Sequence, residues 1–95
     1  MNAAPRFHLR LYVAGDGPNS LQARANLQAI CEQYLAGRHK VEVVDILHEP
    51  QRALADGVVL TPLLLKLAPG PARRVVGSLS EPAPVLAALG LTGSR

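Results

Sequence analysis

The stretch from Phe7 to Leu47 limits what this chain can fold into more than any other part of it. Phe7-His8-Leu9-Arg10-Leu11-Tyr12-Val13 alternates apolar and polar side chains with a period of two, the pattern of a strand with one face on a core. Ala14-Gly15-Asp16-Gly17-Pro18 breaks that pattern. Asn19 then stands as a helix N-cap, with Gln22 three residues on in a capping-box-like arrangement. Beyond it, Ala23, Leu27, Ile30, Cys31 and Tyr34 fall on one helical stripe, and Gly37 supplies the stop. Val41-Glu42-Val43-Val44-Asp45-Ile46-Leu47 follows, too apolar on both sides for an edge, which predicts a central strand. Strand, helix and strand over this length form a right-handed crossover with the two strands parallel.

The second half is punctuated by proline. Pro50 suits the first turn of a short helix through Ala53, Leu54 and Ala55, with Gly57 as its stop. Val58 to Leu67 is a third strand region, interrupted by Thr61-Pro62. Pro69-Gly70-Pro71 reads as a turn, and Arg73-Arg74-Val75-Val76 as a short fourth strand ending at Gly77. Ser80 can cap a last helix reaching Leu89. Pro84 pushes Ala83 away from the α region, so that helix has two possible starts, near Ser80 or at Pro84. Val85 to Leu89 is also apolar enough for a buried strand, and the two alanines favour helix. The order is β-α-β-α-β-β-α, an α/β arrangement matching the thioredoxin architecture.

At 95 residues the chain has room for one core and no second domain, so residues 1–95 are expected to form a single domain with flexible ends at 1–6 and 92–95. The core must be aliphatic, because there is no Trp, one Phe and two Tyr. One cysteine excludes an internal disulfide framework and a cysteine-based zinc cluster. The net charge of +3 comes from scattered cations, with only Arg73 and Arg74 adjacent. That scatter, without aromatic interleaving, argues against nucleic acid as a partner. No signal-like segment or membrane-length apolar run occurs, which together with the free cysteine implies a cytoplasmic protein with no membrane partner.

The candidate chemistry is sparse. A thioredoxin-like redox enzyme places a low-pKa thiol pair in the first strand-to-helix loop, where the helix N-terminus favours thiolate. Here that loop, Asp16-Gly17-Pro18-Asn19, holds no sulfur, and Cys31 lies on the apolar stripe of the helix as a small core residue. His8, His39 and His48 are dispersed, without partners at metal-ligand spacing. Gly15-Asp16-Gly17 lacks the third glycine and the Lys-Ser/Thr of a phosphate loop, and a tight turn accounts for it. Ser20 and Ser80 have no identifiable base. The residues therefore imply no enzyme, metal or cofactor.

One resemblance covers nearly the whole chain. Leu11-Tyr12-Val13-Ala14-Gly15, Pro18-Asn19-Ser20, Val43-Val44-Asp45-Ile46-Leu47, Glu49-Pro50-Gln51, Ala55-Asp56, Thr61-Pro62 and Pro71-Ala72-Arg73-Arg74-Val75-Val76-Gly77-Ser78-Leu79-Ser80 resemble the KaiB family in order, across positions 11 to 91. The resemblance implies a non-enzymatic regulator that binds a KaiC-type ATPase and modulates its phosphorylation or timing. KaiA or a histidine kinase are further candidate partners, and self-association to a dimer or tetramer is implied as well. A stress-response or histidine-kinase signalling module independent of KaiC is the alternative function. The family also implies two folds, the thioredoxin-like one and a ground state with a rearranged C-terminal half, β-α-β-β-α-α-β. Pro62 and Pro71 are the positions assigned to cis-proline and fold switching on this basis. Arg73 and Arg74 are the candidate partner-binding residues, since paired guanidiniums suit carboxylates on an acidic surface, with Lys40 and Gln22 added by position. Several positions depart from the family pattern. Asp16-Gly17 stands where Asn-Thr is usual and Gln22 where Arg is usual, and the acidic tail is replaced by Thr92 to Arg95. Ala88 replaces a common glycine, which favours helix by about 1 kcal/mol.

Overall fold

A computed structural model describes residues 6–91, so the flexible ends expected at 1–6 and 92–95 lie, Arg6 apart, outside the described residues. Seven elements follow one another: β1 (Phe7–Val13), α1 (Pro18–Tyr34), β2 (His39–Asp45), α2 (Pro50–Ala55), β3 (Leu63–Ala68), β4 (Arg73–Val76) and α3 (Pro82–Leu89). This is the β-α-β-α-β-β-α order, the thioredoxin-like one of the two that the family resemblance implied.

The four strands form one sheet in the order β2-β1-β3-β4. β1 and β2 are parallel, as the crossover requires, whereas β3 runs antiparallel to β1 and β4 antiparallel to β3. The prediction that β2 is central is wrong: it is an edge strand, with Val41 and Val43 left 37% and 39% exposed. The inner place goes to β3. Its consecutive Leu63, Leu64 and Leu65 put apolar side chains on both faces, and all three are buried only because β1 and β4 flank that strand.

Alternation divides the sheet into two layers. Phe7, Leu9, Leu11 and Val13 of β1 and Leu64 of β3 form the larger core with Ala23, Leu27, Ile30 and Cys31 of α1 and Val85 and Leu89 of α3. On the opposite face, Tyr12, Val44, Leu63 and Leu65 meet Ala53, the one buried residue of α2. Tyr34, placed on the helical stripe by spacing, is 41% exposed, because Leu35 takes the core position at the helix end.

The helix boundaries shift for reasons of local chemistry. Gly17, not Asn19, is the N-cap of α1, and Pro18 occupies the first turn, where its fixed φ and missing N–H cost nothing. Ser20 turns inward instead and accepts a hydrogen bond from the Ala14 amide (3.3 Å). α3 begins at Pro82 after Glu81, not after Ser80 or at Pro84. Both prolines fit because the first-turn amides have no intrahelical acceptor in any case. Gly90, at φ 76°, ends α3, and the Leu91 amide reaches back to the Leu86 carbonyl (2.8 Å) in a Schellman-type closure.

Candidate functional site

The loop between β1 and α1 lies at the same end of the sheet as the segment entering β3. Asp45, the last residue of β2, accepts hydrogen bonds from the amides of Gly15 (3.1 Å) and Leu47 (2.9 Å) through one carboxylate oxygen. These amides hold the carboxyl below its ordinary pKa. Gly15 sits at φ +68°, and a Cβ there would stand 3.3 Å from Leu47 Cδ1, so glycine is required both by conformation and by the loop packed over it. The Thr61–Pro62 peptide is cis. This end has the frame of a redox site but no thiol. Cys31 is 1% exposed, and burial pushes its thiol up to about 11, so it is neither accessible nor ionised near neutral pH.

The face covered by α2 carries the ionic chemistry. Arg10 Nε donates to Glu42 Oε1 (2.9 Å), and Arg10 Nη1 donates to Asp56 Oδ2 (2.9 Å). Arg52 Nη1 lies 2.6 Å from Glu42 Oε2, and the Tyr12 hydroxyl donates to Asp56 Oδ2. Hydrogen bonds from Arg52 and then Arg10 hold the Glu42 carboxyl down to about 2. Burial first, then the bond to Asp56, raises the Tyr12 phenol, while that same bond leads the lowering of Asp56. Every charged group here is matched by an opposite one, so the cluster fastens α2 to the sheet and leaves no poised acid or base. Sequence reading missed it because its members are spread from residue 10 to residue 56. The weak signal available was the alternation that puts Arg10 and Tyr12 on one face of β1.

The sequence-selected residues do not converge. Lys40 is exposed on β2, while Arg73 and Arg74 lie on β4 at the opposite edge, and Gln22 is exposed on α1. Arg73 and Arg74 also face opposite ways: Arg74 pairs with Leu65 on the α2 face, and Arg73 pairs with Lys66 on the other. Arg74 is committed within the fold. Its guanidinium donates to the carbonyls of Asp56 and, at 3.4 Å, Gly57, the end of α2. Among the described residues Arg73 bonds only the neighbouring Ala72 carbonyl (3.2 Å). The second cis bond is Ala68–Pro69, and Pro71 is not cis. The chain reverses directly after β3, where the Pro69 carbonyl accepts from Lys66 Nζ (2.5 Å), and Pro71 already leads into β4.

Exposed apolar side chains were not singled out from sequence. Leu54 is 80%, Val59 88% and Leu60 62% exposed, all within the α2 end and the segment leading to Pro62. Leu47, 68% exposed, belongs to the same end of the sheet. A groove of about 490 Å³ also opens between α1 and β2, floored by Leu11, Leu27 and Cys31 and walled by Val41 and Val43. No helix of the described residues is long and apolar enough to cross a membrane.

Known proteins share this fold. The SasA N-terminal domain of Synechococcus elongatus superposes with a TM-score of 0.77 at 21% identity, over 100% of this chain and 93% of that one. Mitochondrial thioredoxin 3 of Saccharomyces cerevisiae gives 0.70 at 13% identity, over 87% and 76%. Both likenesses establish the thioredoxin-like fold. In sequence, the circadian clock oscillator protein KaiB of Prochlorococcus marinus is 43% identical across 96% of this chain and 85% of its own length. The circadian clock protein KaiB3 of Synechocystis is 40% identical across 88% and 82%. The family model for the KaiB domain matches residues 10–91, from the first strand to the end of the last helix, and the chain belongs to the KaiB family.

Proposed function

We propose that the protein is a non-enzymatic cytoplasmic regulator that docks on a KaiC-type ATPase and modulates its phosphorylation or timing. The observation that carries this reading is a KaiB domain over residues 10–91 built on a thioredoxin-like frame whose loop holds no thiol. Without a thiol in that loop the frame lacks the group that thiol exchange needs, and binding is the use assigned to it here. Among the described residues Arg73 bonds only the carbonyl of its neighbour Ala72, so it is the first candidate for an acidic patch on the partner, with Lys40 and Gln22 on separate surfaces. Arg74 contributes by holding α2 in place. The apolar residues Leu54, Val59 and Leu60 supply the kind of exposed surface that protein interfaces bury.

The test is co-elution with a KaiC-type ATPase from the same source, after long incubation with each nucleotide. A complex is expected, weakened about tenfold or more by Arg73→Glu while the melting temperature stays unchanged. No complex in any nucleotide state would remove the proposal. A second reading, a module for histidine-kinase signalling or stress response that works without KaiC, draws on the likeness to the SasA N-terminal domain. Binding to a kinase with no ATPase complex would favour it.

A further inference from the structure

Among the described residues Lys66 is the one charged side chain that is buried, at 6% exposed. It stands on β3, on the same face as Leu64 and the α1 and α3 core. An ammonium has three hydrogens to donate, and here the Pro69 carbonyl (2.5 Å) accepts one of them. A neutral carbonyl does not compensate the charge, and a buried charge left unpaired is costly. Across the sheet Lys66 sits directly opposite Arg73 of β4, where like charges repel. The seven acids of the chain are placed elsewhere. Asp16, Asp45, Glu49 and Glu81 lie at the other end of the strands, and Glu42 and Asp56 are bound on the α2 face. Glu32 is exposed on α1 and accepts from Gln28 (3.2 Å). Cations gather instead: Arg6 leads into β1, and Arg38 and Lys40 stand at the start of β2, the end of the sheet where β3 finishes and β4 begins. Such a pole raises the local concentration of anions.

We propose that Lys66 and Arg73 together bind a phosphate group, free or as a small monoester. Charge selects this class: above its second pKa of about 6 a phosphate carries close to two negative charges, matching two cations where a carboxylate matches one. Shape agrees with charge. The planar fork of Arg73 takes two phosphate oxygens, and the Lys66 ammonium meets a third as a point charge. Arg73 uses one nitrogen on the exposed Ala72 carbonyl (3.2 Å), a bond to a neutral group that a phosphate oxygen outcompetes. Gly70, in the turn between β3 and β4, keeps the place beside the ammonium open. At φ +74° it favours glycine, and a Cβ there would stand 3.7 Å from Lys66 Nζ. The bound anion offsets the cross-strand repulsion and ties that turn to the sheet.

Amide NMR of the protein alone, titrated with inorganic phosphate at an ionic strength held constant with sodium chloride, tests this without involving any ATPase. Saturable shifts are expected at Lys66, Gly70, Ala72 and Arg73, with the α2 amides unmoved. The melting temperature should rise with phosphate and not with chloride. Arg73→Gln, an exposed change that keeps the fold, should weaken binding about tenfold or more, the worth of one charge-assisted hydrogen bond. Lys66→Met keeps the length of the side chain without its charge and should abolish binding; if that variant fails to fold, Arg73→Gln carries the test. Adenosine monophosphate separates the sources. Shifts of the same amides at equal or lower concentration than phosphate assign a monoester, and weaker binding or none assigns the free anion, either result supporting the site. No saturable shift with phosphate, an equal response to chloride, or binding unchanged by Arg73→Gln would each overturn the proposal.

Discussion

The two faces of the sheet are closed by different means. Under α1 and α3 the seal is apolar, with Leu9 and Leu11 fully buried against Leu27, Val85 and Leu89. Under α2 a six-residue helix contributes one buried alanine, and it is fastened by Arg10, Glu42, Arg52, Asp56, Tyr12 and Arg74. The apolar face draws on burial, which depends little on pH or salt. The polar face draws on ion pairs and hydrogen bonds, which weaken when protonated or screened. The mobile side of such a domain is therefore expected to be the α2 side, where the exposed apolar residues Leu54, Val59 and Leu60 also lie.

Three changes separate the faces, in falling order of effect. Leu9→Ala on the apolar face should cost about 2–5 kcal/mol, because a fully buried side chain leaves a cavity that packed helices cannot collapse. Urea unfolding would measure it; a loss below about 1 kcal/mol would mean that face is not the main seal. Tyr12→Phe on the polar face should cost about 1–3 kcal/mol, since the bond to the Asp56 carboxylate goes while Arg10 still holds that group. Hydrogen exchange should then rise in α2 more than in α1, and equal rises would deny the distinction.

The smallest effect is expected at Glu42→Gln near neutral pH, and its value is in the acid limb. Glu42 is held down to about 2 in the folded protein, against an ordinary value of 4.5. A depressed carboxyl contributes stability that is full above its unfolded pKa and is lost as pH falls from about 4.5 toward 2. Asp56 is lowered as well, so the loss has more than one source. Glu42→Gln should flatten part of the decline in melting temperature across that window. An unchanged acid limb would show that Glu42 contributes no pH-dependent stability to the α2 network.

How legible this was in the sequence depended on the distance over which each feature is determined. The period of two in Phe7–Val13 and the helical stripe from Ala23 to Cys31 are local, and the structure has both elements where they were read. The short fourth strand and the α2 bounds were legible from Pro50, Gly57 and Gly77 for the same reason. Helix caps were less so: Asn19 and Ser80 have the right chemistry, but Pro18 and Pro82 claim the first turns. The polar cluster under α2 was invisible, because no local pattern links Arg10 to Glu42 or to Asp56. Arg73 and Arg74 looked like one feature and are two, since strand alternation sends neighbours to opposite faces.

By itself the sequence determined the alternation of strands and helices, the aliphatic core and the absence of a thiol from the β1–α1 loop. These follow from spacing and residue type within a dozen positions. Only the tertiary structure decided that β2 is an edge and β3 is inside, because both strands are apolar and the choice lies in which neighbours each acquires. It alone decided that Arg74 is bound to the end of α2 while Arg73, among the described residues, bonds only its neighbour's carbonyl. Those outcomes depend on where distant segments meet, and pairing across the sheet is set by the packing of the whole chain.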